Sequence, residues 1–362
     1  MKERSKQSRR FSIVLISLLT ALCLLPSAVL AENINIPEQD ERGWVDFVLV
    51  CNEGNNNTGS NVGNTMMVVS MNPNTGKIRL LMMTWDTFVR YEGFEQPRKL
   101  DQPFRRNGPE GTLSVFNENF NMDIKLFMSL NYLNLASMID SYGGVDIDVS
   151  RAERNALNQM VASKKEEITR RAELGLLSQG VVELLAQEYY LGEHEYGKNT
   201  HLNGLQAVGF GWLQYDSVYN CCEREVEVIA ALFSSVGKTI GEKVILYTDE
   251  SGVPEFPEGR EMINLDHMTE EQQAFLRTEM DPIFQMSYHN LTETDILNIS
   301  NALVRAAYLA SRQGVNVFNN LDYKIFPKEA KDPYDLIAGI KGHIVDYAAN
   351  EKEMKEFLFA ED

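Results

Sequence analysis

The stretch from Thr65 to Met83, which reads TMMVVS (65–70), MNPNTGK (71–77) and IRLLMM (78–83), decides the fold. Two apolar runs flank a segment with Pro73 and Gly76, residue types that set a tight turn. The pattern predicts two core strands joined as a hairpin, with the methionines as core residues and not as a cofactor box. Pairing them brings the chain before Asn64 and the chain after Met83 to one end of a sheet. A site is expected at that end.

Upstream, Trp44 to Cys51 (WVDFVLVC) reads as a third buried strand. It is followed by NEGNNNTGSNVGN (52–64), whose Asn and Gly content excludes helix and strand. That loop is either a flexible turn or a place where backbone approaches a ligand closely. Downstream, helices are expected over 110–122 and 131–141, the second stopping at Gly143-Gly144. Val145 to Val149 alternates as a strand, and 151–195 reads as a charged, helical, solvated excursion. A helix introduced by His201-Leu202-Asn203-Gly204 runs through Phe210, and an amphipathic helix covers Cys222 to Ser235. Beyond residue 240 come helices at 270–286 and 291–313, a strand-like NVFNNLDYKIF (316–326) and a closing helix from Glu351 to Phe359.

The expected fold class is α/β, a mixed central β-sheet flanked by helices on both faces, with a helical C-terminal extension. Residues 1–31 form a signal segment, 32–43 a linker, 44–235 the α/β domain and 236–362 a mostly helical remainder. That remainder is either the tail of the same domain or a small appended subdomain.

The N-terminus carries five basic side chains, then an apolar run of fifteen from Phe11 to Leu25 and small residues before Glu32. This is a secretory signal pattern. The alternative is an uncleaved anchor, for which fifteen is short of the roughly twenty residues a span needs. Either way the body is expected outside the cytoplasm. Net charge is −18, and removing the basic leader leaves a more acidic body, which excludes nucleic-acid binding by simple charge attraction. Outside the leader, Cys51, Cys221 and Cys222 make neither a disulfide framework nor a metal-ligand spacing, although one bridge is possible. The five histidines (His194, His201, His267, His289, His343) show no helical pairing for zinc, and no GxSxG or P-loop occurs.

Five segments in order, NTMMVVSMNPNTGKIRLLMMTWDTFV (64–89), RKLDQPF (98–104), YGGVDIDV (142–149), HLNGLQAVGF (201–210) and NEKEMKEFLF (350–359), resemble the LytR-CpsA-Psr envelope family. The resemblance implies a phosphotransferase that moves a glycan from a polyprenyl-pyrophosphate carrier onto peptidoglycan. It also implies a magnesium ion on two acidic residues and several arginines on the pyrophosphate. That chemistry is sound, since a leaving diphosphate gathers negative charge and guanidinium forks match phosphate oxygens.

At those positions this chain departs from the family pattern. The acidic metal ligand before TMM is Asn64, and the other matches Glu53. Trp85 replaces an arginine, although Asp86 and Thr87 remain. Trp212 and Gln214 replace two more, and Cys221 a further one, which leaves Arg224 as the remaining guanidinium. Arg98, Lys99, Arg105 and Arg106, with Asp101 among them, read as a solvated loop or as substitute cations bordering the site. Trp85 and Trp212 either line the pocket for a sugar face or polyprenyl chain, or fill the hole left by the lost contacts.

The expectation is a catalytically degenerate member without cofactor. It binds a polyprenyl-linked glycan, a cell-wall polymer or an active paralogue. One alternative is a live, Mg2+-dependent transferase using Glu53, Asp86 and the cations from Arg98 to Arg106. Another is an envelope scaffold with no small ligand.

Overall fold

Each of the three apolar runs forms a strand in the computed structural model: β1 (Val45–Asn52), β2 (Gly63–Met71) and β3 (Ile78–Met83). The structure describes residues 43–52, 63–175, 190–254, 260–315, 317, 321–327, 334–337 and 339–359. The signal segment and Glu53 lie outside the described residues.

Consecutive side chains on a strand face opposite ways, and here both ways lead into core. Phe47, Leu49, Met67, Val69, Leu80 and Met82 join one apolar cluster, while Val48, Val50, Met66, Val68, Leu81 and Met83 join another. A sheet covered on both faces has no use for polar alternation, so its strands read as continuous apolar runs. At Gly76 the hairpin turn takes φ +70°, and a Cβ there would lie 2.8 Å from the Ala306 amide nitrogen. Glycine is required both by the conformation and by the close approach.

After β3 come a short antiparallel hairpin, β4 (Phe88–Val89) and β5 (Arg98–Lys99), then α1 (Asp101–Phe120), β6 (Leu126–Asn131) and α2 (Tyr132–Ser141). Next are β7 (Val145–Val149), α3 (Arg151–Glu173), β8 (Gly197–Leu202), α4 (Gly204–Gly211) and α5 (Val218–Lys243). The chain continues through β9 (Val244–Tyr247), β10 (Glu261–Asn264), α6 (Glu270–Glu279), α7 (Asp281–Gln285), β11 (Tyr288–His289) and α8 (Glu293–Gln313). It closes with β12 (Asp322–Phe326), β13 (Tyr334–Ile337), β14 (Ile340–His343) and α9 (Tyr347–Leu358).

The central sheet has six strands in the order β11-β6-β1-β2-β3-β12. It is mixed, with β1–β2 and β2–β3 antiparallel and β1–β6 and β3–β12 parallel. One face is covered by α2, α4, α5 and α8 and the other by α1 and α9. This is the α/β architecture the apolar runs imply. Both edge strands, β11 and β12, come from the sequence beyond residue 236.

Four local readings change. Helix α1 starts at Asp101, so Arg105 and Arg106 stand on a helix and not in a loop. Non-helical Asn107 and Gly108 precede Pro109 and kink it, which explains why the sequence showed only its second half. Strand β6 was hidden because LFMSLN runs directly into Asn131, whose side chain caps α2 by accepting from the Asn134 amide at 2.8 Å. Helix α3 is not wholly solvated: Leu157, Val161 and Ile168 are at most 1% exposed and join the core. Finally, β7 pairs with β8 in its own ribbon, outside the central sheet.

Candidate functional site

The carboxyl ends of β1, β3, β6 and β12 lie at one edge of the central sheet, where β2 begins. In open α/β sheets such an edge is the usual place for a ligand. The end of α4 and the start of α5 lie over it. Trp212 Nε1 donates to Thr65 Oγ1 at 3.4 Å, and the Tyr219 hydroxyl donates to the Pro327 carbonyl at 2.5 Å.

The turn after β3 is locked by its own polar groups. The Thr84 amide donates to the Phe326 carbonyl at 2.8 Å, and the Thr84 and Thr87 hydroxyls lie 2.8 Å apart. Asp86 is fully buried, with Oδ1 3.0 Å from His343 Nδ1, and its carbonyl accepts from the His343 amide at 3.1 Å. Burial alone would raise the Asp86 carboxyl. The hydrogen bond and charge of His343, with Thr84 and Lys99, outweigh burial and hold it below the usual carboxylate range. Asp86 therefore ties the turn to β14, and Tyr219 packs edge-on against the same imidazole at 5.5 Å.

Beside this turn the structure gathers several of the expected residues. Lys99 Nζ lies 4.7 Å from the centre of the half-buried Trp85 ring. Asp101 opens α1 and is 4% exposed. Its Oδ2 takes the Arg105 guanidinium at 3.1 Å and the Gln102 amide at 2.9 Å, while its Oδ1 has no hydrogen-bond partner. Burial pushes this carboxyl up, against the pull of Gln102, Arg105 and Lys99. Arg98 is half-buried opposite Val89 in the β4–β5 hairpin. Arg106 points away to the turn, stacking on Phe94 and donating to the Gly93 carbonyl at 3.3 Å.

Trp212 is 5% exposed, edge-on to Tyr132 at 5.6 Å, and Gln214 is exposed. Arg224 turns inward. Its guanidinium grips both Asp216 oxygens at 2.8 and 2.9 Å, donates to the Leu213 carbonyl at 2.6 Å and lies 3.7 Å from Glu153. The Arg224 hydrogen bonds hold the Asp216 carboxyl down at about 2.

Next to it, Glu225 is buried beside Cys51, Thr65 and Trp212, and its Oε2 has no hydrogen-bond partner. Burial drives its carboxyl well above the ordinary value, with Thr65 and Arg224 opposing. Cys51, Cys221 and Cys222 are buried free thiols, so the conceivable bridge among them is not formed. Burial pushes all three upward, away from the reactive thiolate.

Among the described residues, no three His, Cys, Asp or Glu side chains converge to hold a metal ion. Asp86 is engaged by His343 and Asp101 by Arg105. Of Asn64, the backbone lies in β2.

His343, Tyr219, Thr65 and Glu225 were not among the expected site residues. For His343 there is no local signal, since Asp86 is 257 residues away. Glu225 could have been found as an acid on the apolar face of α5.

Comparison with known proteins agrees with the fold. Over 97 residues the chain is 31% identical to a polyisoprenyl-teichoic acid–peptidoglycan teichoic acid transferase TagU of Oceanobacillus iheyensis. That alignment covers 24% of this chain and 29% of the relative, so the chain spans less than a third of that protein. Two crystal structures share the fold. TagV of B. subtilis superposes with a TM-score of 0.55 at 13% identity, covering 89% of this chain and all of the other. Protein gbs0355 from Streptococcus agalactiae gives 0.54 at 14% identity, covering 88% of both. The sequence pattern of the LytR_cpsA_psr family matches residues 31–240, more than half the chain, and the protein belongs to that family.

Proposed function

We propose that this protein is an extracytoplasmic, cell-envelope member of the family that binds its ligand without transferring it. The ligand class is a polyprenyl-linked glycan or cell-wall polymer, or the partner is an active paralogue. The observation that carries this reading is the inward closure of Arg224 on Asp216 and the Leu213 carbonyl. The one guanidinium left by the family correspondence is already neutralised, and the tryptophan at another arginine position is packed into the core. A hydrogen bond to a charged group is worth about 1.5–3 kcal/mol, so four lost guanidinium contacts remove about 6–12 kcal/mol. Micromolar diphosphate binding, about 8 kcal/mol in all, does not survive that loss.

Mass spectrometry of lipid co-purified with the full chain is expected to find a polyprenyl phosphate species; none would leave a scaffold or a protein partner. Melting in millimolar Mg2+ is expected to show no shift, because only a specific site stabilises the fold. Transfer of a polyprenyl-linked saccharide to a wall acceptor by the purified protein would overturn the reading. Lys99 between Asp86 and Asp101 would then be the cation to remove first.

A further inference from the structure

We propose that the cleft under the β4–β5 turn binds the end of a short peptide, with Arg90 taking the carboxylate and Glu92 and Glu95 an ammonium group. This inference does not use the sheet-edge site, and the two stand or fall separately.

The cleft is about 480 Å3, within the range of small-ligand sites, and is lined by Tyr91, Phe94, Pro97, Glu118 and Tyr347 together with the three residues just named. Its turn is fixed in advance. Asn119 accepts from the Arg90 amide and donates to the Arg90 carbonyl, both at 2.8 Å. Asn107 donates to the Tyr91 hydroxyl at 2.6 Å, and Arg106 closes the other side at the Gly93 carbonyl. A ligand therefore meets a surface whose ordering cost has already been met by folding.

The chemistry of the ligand follows from which groups are engaged and which are open. The Arg90 guanidinium carbon lies over the Tyr347 ring, 5.1 Å from its centre, and among the described residues no carboxylate forms an ion pair with it. The ring holds the cation over the cleft, and guanidinium N–H groups match a planar two-oxygen anion. Glu92 and Glu95 are exposed, and neither accepts a hydrogen bond or forms an ion pair among the described residues. Glu118, also at the cleft, accepts from Ser114 at 2.6 Å.

Three acids against Arg90 and Arg106 leave the cleft slightly negative, which disfavours a dianionic phosphate. The ring faces of Phe94 and Tyr347 are occupied by Arg106 and Arg90, which disfavours sugar stacking. A zwitterion with a carboxylate and an ammonium group satisfies both signs. A peptide end carrying a lysine side chain is that kind of molecule.

The test is calorimetric titration of the full chain with the free tripeptide alanyl-lysyl-alanine, its C-terminal amide and its Nε-acetyl form. The free acid is expected to bind saturably at one site. The amide should bind at least tenfold more weakly, and the acetyl form should lose affinity. Arg90→Gln should weaken the free acid at least tenfold while leaving the melting temperature in place, because the side chain is exposed. If that variant does not fold, the comparison of acid with amide on the unaltered protein decides. No saturation by the free acid up to about 10 mM, beyond the range of useful affinity, would overturn the proposal. Equal binding of acid and amide, or full binding by a folded Arg90→Gln variant, would do the same.

Discussion

Replacing Arg224 by glutamine leaves Asp216 and Glu153 without their cation and the Leu213 carbonyl without its charged donor. Arg224 is buried but Asp216 is exposed and regains water, so removing the guanidinium costs its charge-assisted hydrogen bonds, about 1.5–3 kcal/mol. Equilibrium urea unfolding of Arg224→Gln is expected to show that loss. A stability unchanged within about 0.5 kcal/mol would mean that the guanidinium is not held as described, and that it is free for a ligand. The sequence alone showed that Arg224 was the last arginine at its family position. It did not show that Asp216, eight residues earlier, had already taken it. The same limit applies at Asp86, whose partner His343 arrives from the far end of the chain. Side-chain identity was legible at both positions. Whether the charge faced inward or outward was not, because that depends on pairings made only in the fold.

Elements were more legible than sites, and the reason is packing. Strands β1, β2 and β3 carried their own signal, since apolar runs bounded by turn residues have few other uses. Strand β6 and the first half of α1 did not, because one merges into a cap and the other is broken by Asn107-Gly108-Pro109. Helix crossings were invisible until the structure showed where glycine admits a neighbour. At Gly204, the first residue of α4, a Cβ would lie 1.9 Å from the Ala136 carbonyl oxygen of α2. At Gly241, near the end of α5, a Cβ would meet nothing within 4 Å. Gly204→Ala is therefore expected to lower stability by about 1–3 kcal/mol through overpacking. Gly241→Ala should raise it by up to about 1 kcal/mol through lost unfolded-state entropy and better helix propensity. Thermal melts of the two variants test the α2–α4 crossing, and two shifts of the same sign would refute it.

At the scale of the whole molecule, the pH dependence of stability follows from which carboxyls the fold holds up and which it holds down. Glu225 is driven well above its ordinary value by burial, and Glu227 is pushed up to about 7 by burial and then by Glu153 and Asp148. A carboxyl raised in the fold binds more protons there than in the unfolded chain, so its contribution is full at low pH and is lost as pH rises. For Glu227 the loss runs from the unfolded value of 4.5 to about 7, and Glu225 acts in the same direction. Asp101, also raised by burial, acts in the same sense. Asp86 and Asp216 are lowered, so their contributions are in place above 3.8 and fade only in acid. Between pH 5 and 8 (roughly the usual range of maximal stability) the raised carboxyls Glu225 and Glu227 act against His289, which burial lowers and which favours the fold as pH rises; the two carboxyls outnumber it, and the net charge of −18 adds general repulsion. Stability is expected to be greatest at the acid end of that interval and to fall toward the other. About 1 M salt shortens the screening length to about 3 Å and removes the general term while sparing the buried one. In high salt, urea unfolding of the native chain should still show the decline, and Glu225→Gln with Glu227→Gln should flatten most of it. A decline that vanishes with salt alone would place the effect on the surface charge, and Glu225 would then have to be ionised and paired in a way the present geometry does not provide.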